Sequence, residues 1–284
     1  MAGDGDLMSA SAANAEIFAA NRAVGRISVA VAATPSGPVR ARLHESGSLR
    51  LRFPNSQTST SLDAVIVNTA GGMAGGDRFD LDVEVGDGAQ LTVTTAAAEK
   101  IYRSLGPATE IAMKFDVGPN GALTWLPQVM IGFGGMRLRR TIDVTLARNA
   151  SLLLAEATVF GRSAMGESVR EGYLFDRRRI RIDGALVFAE TIGLDGNIAQ
   201  RLEERAVVKG GVAVASVLKV PAGDECAAEV RSIQDSFGGE VGISAWNGLA
   251  IARFVAPDSA SLQRDLSRVL NALGAKPLPR LWLN

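Results

Sequence analysis

Almost everything on which metal and redox enzymes depend is scarce in this chain. Its 284 residues include one cysteine, Cys226, and one histidine, His44. A single cysteine excludes an intramolecular disulfide and any CxxC motif. A single histidine excludes HExxH and every multi-histidine zinc site. Aromatic residues make up 5% of the chain, which argues against a base-stacking platform. Lys plus Arg and Asp plus Glu are equal at 30 each, so no global field favours nucleic acid or an anionic membrane. No apolar run approaches the ~18 residues of a membrane helix. The opening MAGDGDLM lacks the basic and apolar regions of a secretory signal. The expectation is a cytoplasmic protein that binds neither nucleic acid nor membrane.

Strand signals dominate what is present. Phe79 to Val85 alternates apolar and acidic residues, which places one face in a core and one in water. Gly86-Asp87-Gly88 follows, and Ala89 to Thr94 resumes the alternation, so the unit reads as a hairpin. It recurs at Glu110 to Trp125 and at Arg139 to Leu154, with Val85 to Val117 spanning 32 positions and Val117 to Leu146 spanning 29. Weaker copies lie at 39–53, 179–191, 205–220 and 243–255. A period near 30 predicts an all-β fold, either stacked antiparallel or helix-like strand layers or a two-layered sandwich.

Helices are few. Asp258 and Ser259 can cap one whose apolar stripe is Leu262, Leu266, Val269, Leu270 and Leu273, with Gly274 ending it. Asp224 to Asp235 is a second, with Cys226, Val230 and Ile233 on its apolar side. Ala10 to Asn21 is a third, and Ala96–Ser104 reads as a short helix joining two strands. No low-complexity linker divides the chain, so one domain over 1–284 is expected, with 1–25 a flexible leading segment.

Four glycines stand in six positions within Gly71-Gly72-Met73-Ala74-Gly75-Gly76-Asp77. A phosphate cradle fails, because neither GxGxxG nor a following GK[S/T] is present. A wide turn, or a backbone-lined wall with Asp77 at its edge, remains. Glu156 lies in an otherwise apolar strand, where a carboxylate must be paired or wet. An ion pair with Arg162 or another arginine is one reading, and a polar interior passage is the other. Basic clusters occupy Arg137 to Arg140 and Arg177 to Arg181. On a strand, Arg177, Arg179 and Arg181 share an outer face while Ile180 and Ile182 point inward, giving a solvated face or a docking face for an acidic protein. His44 reads as a solvated turn-flanking residue and Cys226 as a small core residue.

These stretches, taken in order, resemble the UreD (UreH) urease accessory family. The resemblance rests on the glycine segment ending in Asp77, on Thr94-Thr95 and on Lys100-Ile101-Tyr102-Arg103-Ser104. It continues through Trp125-Leu126-Pro127-Gln128, the basic strand Arg137 to Arg140, Gly161-Arg162-Ser163-Ala164-Met165-Gly166-Glu167, and the ending Leu278-Pro279-Arg280-Leu281-Trp282. It covers about Val39 to Asn284. The chain departs from the family before the glycines, where Val67-Asn68-Thr69-Ala70 replaces the frequent histidine and proline.

The resemblance implies an assembly factor and not an enzyme, on an all-β stack of strands with two or three short helices. It implies partners UreF, UreG and apo-urease, a dimer within the accessory complex, and help in delivering nickel to urease. It implies no tightly bound cofactor, only transient Ni²⁺. Asp77, Glu156 and Glu167 are the candidates to line a nickel passage, since carboxylates hold such an ion weakly enough to release it. Gly71, Gly72, Gly75, Gly76, Tyr102, Arg103 and Arg162 are the structural or partner motif. The competing readings are a β-scaffold enzyme acting on polysaccharide, which needs a pair of suitably spaced carboxylates, and a binding scaffold with no ion traffic.

Overall fold

The computed structural model describes residues 21–54, 60–162, 166–275 and 277–283. The Ala10–Asn21 helix expectation lies, but for its last residue, outside them. Two sheets stack face to face. The seven-stranded sheet runs β14 (Ala185–Asn197), β13 (Glu171–Ile182), β11 (Arg137–Leu146), β8 (Thr109–Val117), β5 (Arg78–Val85), β1 (Val24–Thr34), β2 (Gly37–Gly47). The ten-stranded sheet runs β16 (Glu240–Trp246), β17 (Leu249–Ala256), β15 (Ala213–Val220), β12 (Ser151–Phe160), β9 (Ala122–Trp125), β6 (Gln90–Thr95), β4 (Leu62–Asn68), β3 (Leu49–Arg52). The short β10 (Met130–Gly132) pairs with β12 and with β7 (Glu99–Ile101).

The repeat read from the sequence is the coil of this stack. Val85 pairs with Val117, Val117 with Leu146 and Leu146 with Ile182, all in parallel register. At Val85, Val117 and Leu146 the chain leaves one sheet and enters the other after a short corner. The central units are therefore not hairpins. β5 and β6 lie in different sheets, and so do β8 and β9, and β11 and β12. The corners bond to the next coil: Gly88 N donates to Pro119 O at 2.9 Å and Ala122 N to Ala89 O at 2.9 Å. True hairpins occur where Asp183-Gly184 and Asn247-Gly248 supply two consecutive positive φ angles, as a two-residue turn requires. The corners lack that pair.

Alternation puts Leu81, Val83, Phe115, Ile142 and Val144 between the sheets, facing Leu91, Leu123, Leu152 and Leu154. β12 is buried along almost its whole length because a third layer covers its other face. That layer holds α2 (Asp224–Ser232) and α3 (Ser259–Ala272), both anticipated; α1 (Ile198–Glu203), outside the layer, was not. Asp258 caps α3, its carboxylate accepting from Ser261 N at 2.7 Å. Leu262, Leu266, Val269 and Leu270 enter a second core with Val217, Ala252 and Phe254 of the sheet. Burying one such leucine is worth about 2 kcal/mol. Cys226 is buried there as a free thiol. His44 is exposed, on strand β2 and not beside a turn. The helix expected over Ala96–Ser104 is instead strand β7, because pairing with β10 overrides the helical preference of its alanines.

Candidate functional site

The motifs collect at one end of the stack, where each coil returns from the ten-stranded sheet to the seven-stranded one. Met73 bridges Ile101, Ile101 pairs with Gly132, and Gly132 pairs with Phe160. This rung brings the glycine segment, the Tyr102-Arg103 element, Phe133-Gly134-Gly135 and Gly161-Arg162 side by side.

The glycine segment is bound at close quarters. Gly72 has φ +150°, and a Cβ there would lie 2.4 Å from the Tyr102 ring; a Cβ on Gly75 would lie 1.9 Å from Ser104 Oγ. Gly71 and Gly76 take φ +74° and +88°, reached cheaply by glycine alone. Asp77 is buried and closes the loop. Its carboxylate accepts from Ala74 N at 2.7 Å and from Ala23 N at 2.9 Å. Tyr102 donates to Gly71 O at 3.3 Å and packs edge-on against Phe133 at 5.2 Å. Arg162 lies over the same Phe133 ring at 4.4 Å and pairs with Glu167. The hydrogen bond from Arg162 holds the Glu167 carboxyl below its ordinary range. Arg103 is exposed and its backbone bridges Met136.

Glu156 lies elsewhere, between the sheets, and its arginine is not Arg162. It pairs with Arg140, and its other oxygen accepts from Trp125 Nε1 at 2.7 Å. Arg140 grips Asp176 with two hydrogen bonds, at 3.1 and 2.7 Å. Asp176 also accepts from Arg178 at 2.7 Å. Arg178 donates to Ser216 and faces Glu190 at 3.7 Å, and Glu190 pairs with Arg253 at 2.7 Å. Alternating charges thus run from the core to the surface. Burial would raise the Asp176 carboxyl, but Arg140 and Arg178 outweigh it and hold the group well below the carboxylate range.

Glu156 lines two cavities. The smaller, about 70 Å³, is lined by Met73, Glu99, Trp125, Gln128, Met130 and Arg140 as well as Glu156. The larger, about 330 Å³, adds Asp176, Arg178, Glu190 and Ser216, with Ile192 and Val207 at its exposed side. Burial raises the Glu99 carboxyl, partly countered by a hydrogen bond from Asn68.

Of the three candidate carboxylates, Glu156 alone borders these cavities; Asp77 and Glu167 stand at the motif end and are not brought to it. Among the described residues no group of three or more His, Cys, Asp or Glu is placed to hold a metal ion. Sequence reading missed Glu99, Arg140, Asp176, Arg178 and Glu190. Strand parity pointed to three of them: Arg140 alternates with Leu138 and Ile142, and Asp176 and Arg178 alternate with Leu174 and Ile180.

Residues 23–283 match the family model described as UreD urease accessory protein. The chain belongs to the UreD family. It is 53% identical over 275 residues to the urease accessory protein UreD of Rhodopseudomonas palustris strain BisB5, covering 97% of each chain. It is 52% identical over 269 residues to that of Bradyrhizobium diazoefficiens, covering 94% of this chain and 96% of the relative. UreD 1 of Bradyrhizobium sp. strain ORS 278 is 48% identical over 274 residues, covering 96% and 98%. These are named accessory proteins, a non-catalytic role, so UreD-family membership identifies this chain as an assembly protein and not an enzyme. Among the described residues no helix is long and apolar enough to cross a membrane.

Proposed function

We propose that this chain acts with UreF-like and UreG-like partners on apo-urease in the cytoplasm, and that nickel reaches the urease site by way of its intersheet cavities. The observation that carries this reading is that Glu156 lines both cavities. The smaller has Met73 of the glycine segment in its wall, and the larger has the exposed Ile192 and Val207 at its side. The path between them is marked by Glu99, Glu156, Asp176 and Glu190, each next to a polar or cationic partner. Such carboxylates offer a dication successive weak sites, and the guanidiniums beside Glu156, Asp176 and Glu190 prevent tight retention. Asp77 keeps the glycine segment in shape, and Glu167 with Arg162 braces the neighbouring loop; any contact of these two with nickel belongs to the entrance.

Filling the larger cavity tests the passage without removing a charge. Val214→Phe projects from β15 into it. The expected variant folds, co-purifies with its partners and yields nickel-poor urease. Full nickel loading by a variant shown to be filled would leave this chain as a binding scaffold with no ion traffic.

A further inference from the structure

The two basic clusters of the sequence, remote along the chain, form one surface. β11 and β13 are parallel neighbours, with Arg137 beside Tyr173, Arg139 beside Phe175 and Asp143 beside Arg179. Parity then sorts the arginines: Arg140 and Arg178 enter the core, while Arg137, Arg139, Arg177, Arg179 and Arg181 emerge on the outer face of the seven-stranded sheet.

That face is divided electrically. Most charges of its β1–β5–β8 half are paired, Arg26 with Asp82 at 3.0 Å, Arg78 with Glu110 at 3.1 Å and Lys114 with Asp116 at 3.6 Å, while Glu84 pairs with Arg42 of β2 at 2.9 Å. Among the described residues, only Arg177 of these five arginines has an ion-pair partner, Asp143 at 3.2 Å; Glu110, beside Arg139, is taken by Arg78. Arg137 and Arg139 lie over Tyr173 at 5.3 and 5.9 Å, and Arg139 also over Phe175 at 4.6 Å. Stacking keeps each guanidinium flat; Arg139 donates one N–H to Tyr173 Oη at 2.8 Å, and its other N–H groups remain for a carboxylate. Glu171 and Asp195 approach only the far end, beside Tyr173.

We infer that this arginine half-face docks an acidic protein surface. A second copy of the chain fits less well, because Asp82, Glu84, Glu110 and Asp116 of the half that it would present are already paired. Nucleic acid fits less well too: the aromatic rings are covered by guanidiniums and cannot stack on bases. The inference does not depend on nickel passage.

The test uses the full chain and a fluorescent peptide of alternating aspartate and glutamate, with labelled oligothymidylate as the second probe. Anisotropy should show peptide binding that weakens with salt and falls about tenfold in Arg179→Glu/Arg181→Glu. Asp80→Lys, on the other half of the face, should not weaken it. If the charge-reversed variant melts early, Arg179→Gln/Arg181→Gln takes its place. Absent or salt-independent binding, binding indifferent to the arginine changes, or tighter binding of oligothymidylate than of peptide would each overturn the inference.

Discussion

Arg140 of β11 and Glu156 of β12 join the two sheets through an ion pair whose side chains are only 4% and 3% exposed. Sixteen residues separate them, yet one coil of the stack sets them face to face. Removing one member of such a pair leaves a charge without water or counterion. Glu156→Gln should therefore lower stability by about 3 kcal/mol, the lower end because Arg140 keeps Asp176. Denaturant unfolding measures this. If stability is unchanged while urease nickel falls, the position is wet and serves the passage; if neither changes, Glu156 has neither role.

Asp176 gives the fold an acid limit. Its folded carboxyl titrates well below its unfolded value, because two guanidiniums overcome the cost of burial. A depressed carboxyl contributes stability that is fully present above the unfolded pKa, about 3.9. That contribution is lost as pH falls below it. Unfolding free energy measured from neutral pH downward should drop through the region below about pH 4. Asp176→Asn should be less stable at neutral pH and show a shallower acid slope.

Gly75 and Gly76 fail differently when substituted. Gly75 leaves no room for a Cβ beside Ser104, whereas Gly76 has a positive φ. Gly76→Val should cost roughly 1–3 kcal/mol in backbone strain. Gly75→Ala should displace the Ser104 loop and with it the Tyr102 contact. Melting temperature and urease activation, read on the same preparations, check both. No effect on either readout would make the segment an ordinary turn.

Leu266 stands on the inner stripe of α3 and is 1% exposed. Leu266→Asp places a charge without a partner between helix and sheet, so the chain should fail to fold cooperatively. A melting temperature equal to the parent's would mean that α3 docks elsewhere.

Leu105 is the opposite case, 88% exposed at the motif end, close to the partly exposed Tyr102. Leu105→Asp should change stability by no more than about 0.5 kcal/mol. If this end receives a partner, co-purification of the accessory complex should fall. Undiminished capture would place the partner surface elsewhere.

By itself, the sequence determined the strand-rich class, the coil period near 30 and the capped C-terminal helix. Each is local: alternation, turn residues and a cap act within a few positions of one another. It also marked Glu156 as needing a partner, since a carboxylate in an apolar strand is costly anywhere. Tertiary structure decided what the strand-turn-strand units became. Gly86-Asp87-Gly88 suits a bend, and only stacking on the next coil makes it a corner between sheets and not a hairpin. It decided the partner of Glu156 as well. Arg162 is nearer in sequence than Arg140, but it lies past the end of β12, over Phe133, while Arg140 is directly across the intersheet gap. The merging of two remote arginine clusters on one face rests on the parallel pairing of β11 with β13. Pairing of that kind follows from how coils stack, a long-range property that local pattern does not encode.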